Sequence, residues 1–373
     1  MSFTPFDLEY TQSVWEQKVD INLTESGVHP LRLEELLGGD SGKLTEILST
    51  EINYPHVNGN PELRENIASL YDGAGIDNVL VTVGAAEANN IVVQTLLEPG
   101  DELATQAPTY KQVWGLAGNM GHVVRPFHLL RDAAWCLDID ELNEQVSDRT
   151  RIIAICNPNN PTGYIMTADE MDAVIAAADR VGAWILADEV YRGAERLVDE
   201  ETPSFYGRYD KVLAVGSMSK AYGLPGLRVG WVVGPAPTVD AIWRRHEYTT
   251  ITASMLSNVL ATHALSKEVR PRLIRRARDY IRAGFPVLED WMARQDGLFS
   301  CTPPMASAVS FVRYHLDINS TELMEKLCRE ASVFVGAGDA FGMDQHLRIA
   351  FGQEREVLED AFARMEKILR SCQ

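Results

Sequence analysis

Between residues 77 and 234, short apolar runs rich in β-branched residues alternate with helical patterns. This alternation constrains the fold more than any other feature. DNVLVTVG (77–84) reads as a strand, and AAEANNIVVQTLLEPG (85–100) as the helix after it, closed by Pro99 and Gly100. DELATQAP (101–108) and HVVRPF (122–127) are strands on either side of a helical TYKQVWGLAGN (109–119). A helix around DIDELNEQV (138–146), the strand RIIAICNP (151–158) and the helix ADEMDAVIAAADRVG (168–182) follow. The strands AWILADEV (183–190), KVLAVGS (211–217) and RVGWVVG (228–234) complete the run. Continuous apolar strands separated by helices belong in a mostly parallel sheet covered on both faces, which makes the chain an α/β protein.

Beyond about Ile242 the texture changes to long amphipathic helices, then SAVSFVRYHL (307–316), SVFVGAG (332–338), HLRIAFG (346–352) and a closing helix, as in a smaller α+β unit. The first forty or so residues read as irregular. The expected division is an arm at 1–45 belonging partly with the small unit, a large α/β domain at 46–270 and a small α+β domain at 271–373. The arginine-rich RPRLIRRARDYIR (270–282) reads as the exposed face of a helix.

A length of 373 residues with 46% hydrophobic content allows a large core. A net charge of −19 opposes nucleic-acid binding. No apolar run is long enough for a bilayer, and the acidic N-terminus does not read as a leader. The five cysteines form no CxxC pair and no framework in so long a chain, so a reducing cytoplasm is expected, and the histidines have no metal-ligand spacing.

In open α/β sheets, ligands collect at the carboxyl ends of the strands. The residues following each strand here are Gly84-Ala85-Ala86, opening a helix; NPNNPTG (157–163); Asp188-Glu189-Val190-Tyr191; and Ser217-Met218-Ser219-Lys220. A lysine in a turn is ordinarily solvated charge, so Lys220 gains its interest from this company. Held near cations or desolvated, its amine loses its proton and attacks carbonyls. Pyridoxal phosphate would supply the aldehyde, and helix N–H groups, a serine and an arginine would cradle its phosphate. A buried carboxylate would keep its ring nitrogen protonated.

Seven segments carry a resemblance over nearly the whole chain: NYPHVNGNPELRENIA (53–68), VTVGAAEANN, APTY, CNPNNPTG, ADEVY, SMSKAYGLPGLRVGW and HLRIAFG. In order and spacing they resemble the fold-type I pyridoxal-phosphate enzymes, in the class I/II aminotransferase branch related to aspartate aminotransferase. The resemblance implies pyridoxal 5′-phosphate as cofactor and Lys220 as the lysine that forms the Schiff base. It implies Asp188 under the ring nitrogen, Tyr191 and Asn160 at the phenolic oxygen, and Tyr110 stacked on the ring. Ser217, Arg228 and the backbone of Gly84, Ala85 and Ala86 correspond to the phosphate cup. Arg348 corresponds to the arginine that grips the substrate carboxylate, and Tyr54 to a tyrosine reaching the neighbouring subunit's phosphate, which implies a homodimer with shared sites. His29, His56, Cys156, Trp15 and Trp114 read as structural.

One segment departs from the branch. Where many members carry a GEPDF-like stretch, this chain has NLTESGVHPL (22–31), so Ser26 or Gly27 would lie over the substrate, with Glu25 and His29 nearby. The SGV segment resembles capreomycidine synthase-type cyclases of guanidino amino acids. Two reactions are therefore expected of the chain: transfer of an amino group from an α-amino acid to a 2-oxo acid, or elimination and ring closure on a guanidino amino acid such as a hydroxylated arginine. In the second, an acidic loop would suit a cationic side chain, and His29 or Glu25 would shuttle a proton. A third class, a non-enzymatic regulator borrowing the fold, would need a basic DNA-binding segment that the sequence lacks.

Overall fold

The computed structural model describes residues 3–372. Its centre is an eight-stranded sheet in the spatial order Val79–Thr82, Gly230–Val233, Val212–Ser217, Trp184–Asp188, Thr150–Cys156, Glu102–Ala107, Val123–Leu130, Cys136–Leu137. The strands from Val212–Ser217 to Val123–Leu130 are mutually parallel, while Gly230–Val233 and Cys136–Leu137 run antiparallel to their neighbours. Parallel neighbours need crossovers, and the helices Gln112–Asn119 and Ala168–Val181 supply two. Ala168–Val181 starts where its sequence says it must. Thr167 and Glu170 cap each other's backbone N–H groups, and Gly182 ends the helix in the left-handed conformation.

The helix Gly84–Leu96 covers one face of the sheet, with Ala88, Ile91, Val92 and Val93 buried against Leu80, Leu103 and Val232. The opposite face is covered by Ala168–Val181 through Met171, Val174 and Ala178. A second, four-stranded sheet has the order Phe299–Ser300, Val309–Tyr314, His346–Ala350, Gly336–Ala337. It packs on the long helix Arg270–Ala293 and the closing helix Arg355–Arg370.

Three expectations need correction. The first forty residues are not irregular: they contain the helices Asp7–Trp15 and Leu33–Leu37 and the strand Ile21–Asn22. Asp7–Trp15 has Phe6 at its N-cap and no side-chain cap, so tertiary contacts hold it rather than local signals. SVFVGAG is not one strand. Val333–Phe334 pairs with Ile21–Asn22, and Gly336–Ala337 pairs with His346–Ala350, so the chain changes sheets at Val335. The arginines of the long helix are not all exposed. Arg278 is buried against Glu195 at 2.6 Å and Arg270 meets Glu201 at 2.6 Å, because the loop following Tyr191 turns its acids toward that face.

Gly230 locks the sheet to the start of the Gly84–Leu96 helix. A Cβ there would lie 2.4 Å from the Gly84 carbonyl carbon and 2.5 Å from the Ala85 nitrogen. Overpacking of this kind costs about 1–3 kcal/mol. Gly230→Ala is therefore expected to lower the melting temperature by displacing the helix start. Calorimetry checks the effect, and an unchanged melting temperature would refute the close packing.

Candidate active site

A cavity of about 410 Å³ opens at the carboxyl edge of the large sheet, with Arg348 of the small sheet closing one side. Strand register brings the groups together. Cys156 pairs with Asp188, Asp188 with Val215, and Ser217 with Gly230, so consecutive strand ends present their next residues to one space. Lys220 and Asp188 line this cavity half-buried, and Tyr191, Ser217, Asn160 and Arg348 line it fully buried.

At one end lies an anion cradle. The Gly84–Leu96 helix points its free N–H groups into the cavity edge at Ala85 and Ala86. Arg228, in the left-handed conformation with φ of 50°, brings its guanidinium to the same place; a Cβ on Gly84 would lie 2.4 Å from its Nη2. Arg228 Nη1 donates to Ser219 Oγ at 3.3 Å, and Ser217 Oγ donates to Ser219 Oγ at 2.9 Å.

At the other end Arg348 is buried. Its Nη1 donates to Asn160 Oδ1 at 3.0 Å and its Nη2 to the Thr24 carbonyl at 2.8 Å, while its Nε has no partner. A buried guanidinium without a carboxylate is costly, so the site favours an anionic ligand there. Burial pulls the Arg348 pKa below the ordinary arginine value.

Burial also pulls the Lys220 amine below the ordinary lysine range; Glu25 opposes this, and Arg348 and Arg228 add to it. Asp188 is pushed up by burial, against the Val190 N–H, the Asn89 amide and the charge of Lys220. Tyr191 is raised by burial, and its hydroxyl donates to Ser26 Oγ at 2.9 Å.

Of the other sequence candidates, Tyr110, Glu25 and Ser26 line the cavity. Gly27 supports it from behind, its missing Cβ leaving room for the Ser219 carbonyl at 2.9 Å. Tyr54 is outside this cavity and 79% exposed. His29 is also outside, with its Nδ1 3.0 Å from Gln353 Oε1 and its ring stacked on Tyr280, which corrects the expectation that it shuttles a proton. Cys156, read as structural, lies in the wall. Sequence reasoning passed over Glu9, Gln12, Asn89, Gln112 and Ser219, all of which line the space. Glu9 arrives on the Asp7–Trp15 helix and accepts the Tyr110 hydroxyl at 2.5 Å.

Residues 42–365 match the family model for aminotransferase class I and II. The chain belongs to this family. It is 31% identical to capreomycidine synthase of Streptomyces vinaceus, over 95% of this chain and 90% of that one. A PLP-dependent aminotransferase from Streptococcus suis 89-1591 superposes with a TM-score of 0.94 at 29% identity, covering 100% of this chain and 99% of that one. The PLP-dependent cyclase OrfR superposes with a TM-score of 0.88 at 26% identity, covering 100% and 98%. The chain is accordingly an enzyme of the fold-type I class, and its cofactor is pyridoxal 5′-phosphate. The residues present fit that group: an amine with a depressed pKa, a helix start packed on a guanidinium, and a buried carboxylate bordering one cavity.

In the cofactor-free protein the Lys220 amine should react with acetic anhydride at lower pH than a free lysine derivative in the same solution, because its neutral form appears earlier. Glu25 raises that pKa and Arg348 lowers it. Glu25→Gln should therefore shift the inflection down and Arg348→Ala should shift it up. Peptide mass spectrometry across pH reads all three. A Lys220 inflection no lower than that of the free lysine derivative would refute the electrostatics.

Proposed function

We propose that the protein transfers the amino group of an α-amino acid with a cationic side chain to a 2-oxo acid. The observation that carries this reading is the half-buried Lys220 amine, bordered by Arg348 and Arg228 in a cavity that also holds Asp188. Ser217, Arg228 and the N–H groups at Gly84, Ala85 and Ala86 would hold the cofactor phosphate. Asp188 would face the ring nitrogen, Tyr191 and Asn160 the phenolic oxygen, and Tyr110 the ring face. Bound to Lys220, pyridoxal 5′-phosphate supplies an electron-accepting ring that eases bond breaking at the substrate α-carbon.

Arg348 takes the substrate carboxylate in a two-pronged contact, with Asn160 and the Thr24 carbonyl holding its plane. Lys220 Nζ, whose pKa burial lowers, would accept the proton leaving the α-carbon. Glu9 and Glu25 border the same cavity, and neither meets an arginine or lysine in an ion pair among the described residues. With Arg228 assigned to phosphate and Arg348 to carboxylate, these acids remain for a cation on the side chain.

Relatedness to capreomycidine synthase and OrfR supports a second reading, elimination and ring closure on a guanidino amino acid such as a hydroxylated arginine. Ser26 would then lie over the substrate, and its hydrogen bond with Tyr191 offers a proton path.

We also propose a cytoplasmic homodimer. No helix among the described residues is long and apolar enough to cross a membrane. Leu48, Ile52, Tyr54 and Tyr248 expose between 77% and 93% of their surface on segments whose continuations meet where the Asn60 N–H donates to Asn258. In a dimer Tyr54 would reach the partner's phosphate.

A panel of amino acids including arginine and its hydroxylated forms, read by mass spectrometry with and without a 2-oxo acid, separates the reactions. One stoichiometric round without acceptor, and continuous turnover with it, is expected. Sustained turnover without acceptor favours ring closure. Glu9→Gln and Glu25→Gln should each raise KM for the cationic substrate about ten-fold, the loss of one charge-assisted contact. An unchanged KM would exclude the side-chain assignment.

A further inference from the structure

Asn89 is 1% exposed, on a helix face otherwise built from Ala88, Ile91, Val92 and Val93. A buried amide on an apolar face is destabilising unless it is paired, so its partners indicate its purpose. Its Nδ2 donates to Asp188 Oδ2 at 3.3 Å and to Gln112 Oε1 at 3.2 Å, and Gln112 Nε2 donates to the Ala86 carbonyl at 2.6 Å. The last contact fixes which end of Gln112 accepts. Gln112 and Asp188 together then fix which end of Asn89 donates, since a reversed amide would set its oxygen against two acceptors. The Val190 N–H reaches the other oxygen of Asp188 at 3.3 Å. Asn89 Oδ1 is left as a buried acceptor without a partner. Asn89, Gln112 and Asp188 come from three separate elements and all line the cavity.

We propose that Asn89, oriented by Gln112, is a positioning residue that holds the Asp188 carboxylate ionised and aimed at the ring nitrogen of the cofactor. The inference rests on reading Asp188 as the partner of that nitrogen. Burial alone drives Asp188 toward its neutral form, and a neutral acid would not keep the ring nitrogen protonated. The amide donor favours the charged form and restrains the carboxylate's rotation. The Ala86–Gln112–Asn89–Asp188 chain also ties the phosphate-cup helix to the acid, so one network sets the spacing between the groups at opposite ends of the cofactor.

The test measures dissociation constants by equilibrium dialysis, for pyridoxal phosphate and for its analogue with carbon in place of the ring nitrogen. Asn89→Ala is expected to weaken pyridoxal phosphate about ten-fold, as for loss of one hydrogen bond to a charged group, and to leave the analogue within two-fold. Asn89→Asp keeps the shape and sets a second carboxylate beside the first; it should discriminate more strongly, and it serves if the alanine variant fails to fold. Equal weakening of both cofactors, or of neither, overturns the proposal. Asp188→Ala is the control. If it discriminates and the Asn89 variants do not, the positioning role alone is wrong. If Asp188→Ala fails to discriminate, the assignment of Asp188 is wrong and the proposal falls with it.

Discussion

The structure depends on the register of its central strands. Because Cys156, Asp188 and Val215 are successive neighbours across the sheet, the residues that follow them emerge along one edge. A shift of one residue would send those side chains to the opposite face and scatter the cavity. The antiparallel strand Gly230–Val233 adds the constraint at Gly230, where absence of a side chain allows the start of the Gly84–Leu96 helix to lie against the sheet. Packing of apolar strands against that helix thus fixes the distance between an anion cradle and a carboxylate, two features with no apolar content of their own.

Electrostatics give that geometry its chemistry. The chain carries a net charge of −19, yet this cavity gathers Lys220, Arg228 and Arg348. Concentrating cations costs free energy, and part of that cost appears at Lys220, where burial lowers the pKa most and Arg348 and Arg228 add to it; Arg348 itself is lowered by burial, with Tyr191, Tyr110, Glu9 and Glu25 opposing. A ligand with a phosphate and a carboxylate at its two ends relieves both arginines. Binding and activation of the amine are therefore linked, since the charges that make the pocket unfavourable when unliganded are those that keep Lys220 reactive.

Much of this was legible in the sequence because strand-end residues announce themselves. Ala85, Asn160, Asp188, Ser217 and Lys220 each come shortly after an apolar run, and the structure brings them to one place. Asn89 was harder, although it left a signal: with Ala85, Val92 and Leu96 it falls on the inner stripe of an amphipathic helix, where an amide is out of place. Glu9 left none. Its helix has no side-chain cap, and the contact with Tyr110 spans 101 positions, so only tertiary packing reveals it. The sheet change at Val335 was hidden for a related reason, because an unbroken apolar run says nothing about which partner each half chooses.

The groups divide by origin in a way that bears on how such a chain acquires a particular reaction. The anion cradle, the amine and the groups proposed to face the ring all lie between Gly84 and Arg228, on elements fixed by the large sheet. Glu9, Gln12, Glu25 and Ser26 come from the first 26 residues, which pair with Val333–Phe334 and pack beside Arg348 through the Thr24 carbonyl. On the function proposed above, changing the arm would alter which side chain is received and where a proton could go at its β- or γ-carbon. On that reading the α-carbon proton stays with Lys220, on which Glu9 and Glu25 of the arm act by charge. Amino transfer and ring closure can then share one scaffold, differing in a segment that meets the groups of the large sheet through the hydrogen bond from Tyr191 to Ser26, the contact of Glu9 with Tyr110 and the packing of Gly27 on the Ser219 carbonyl.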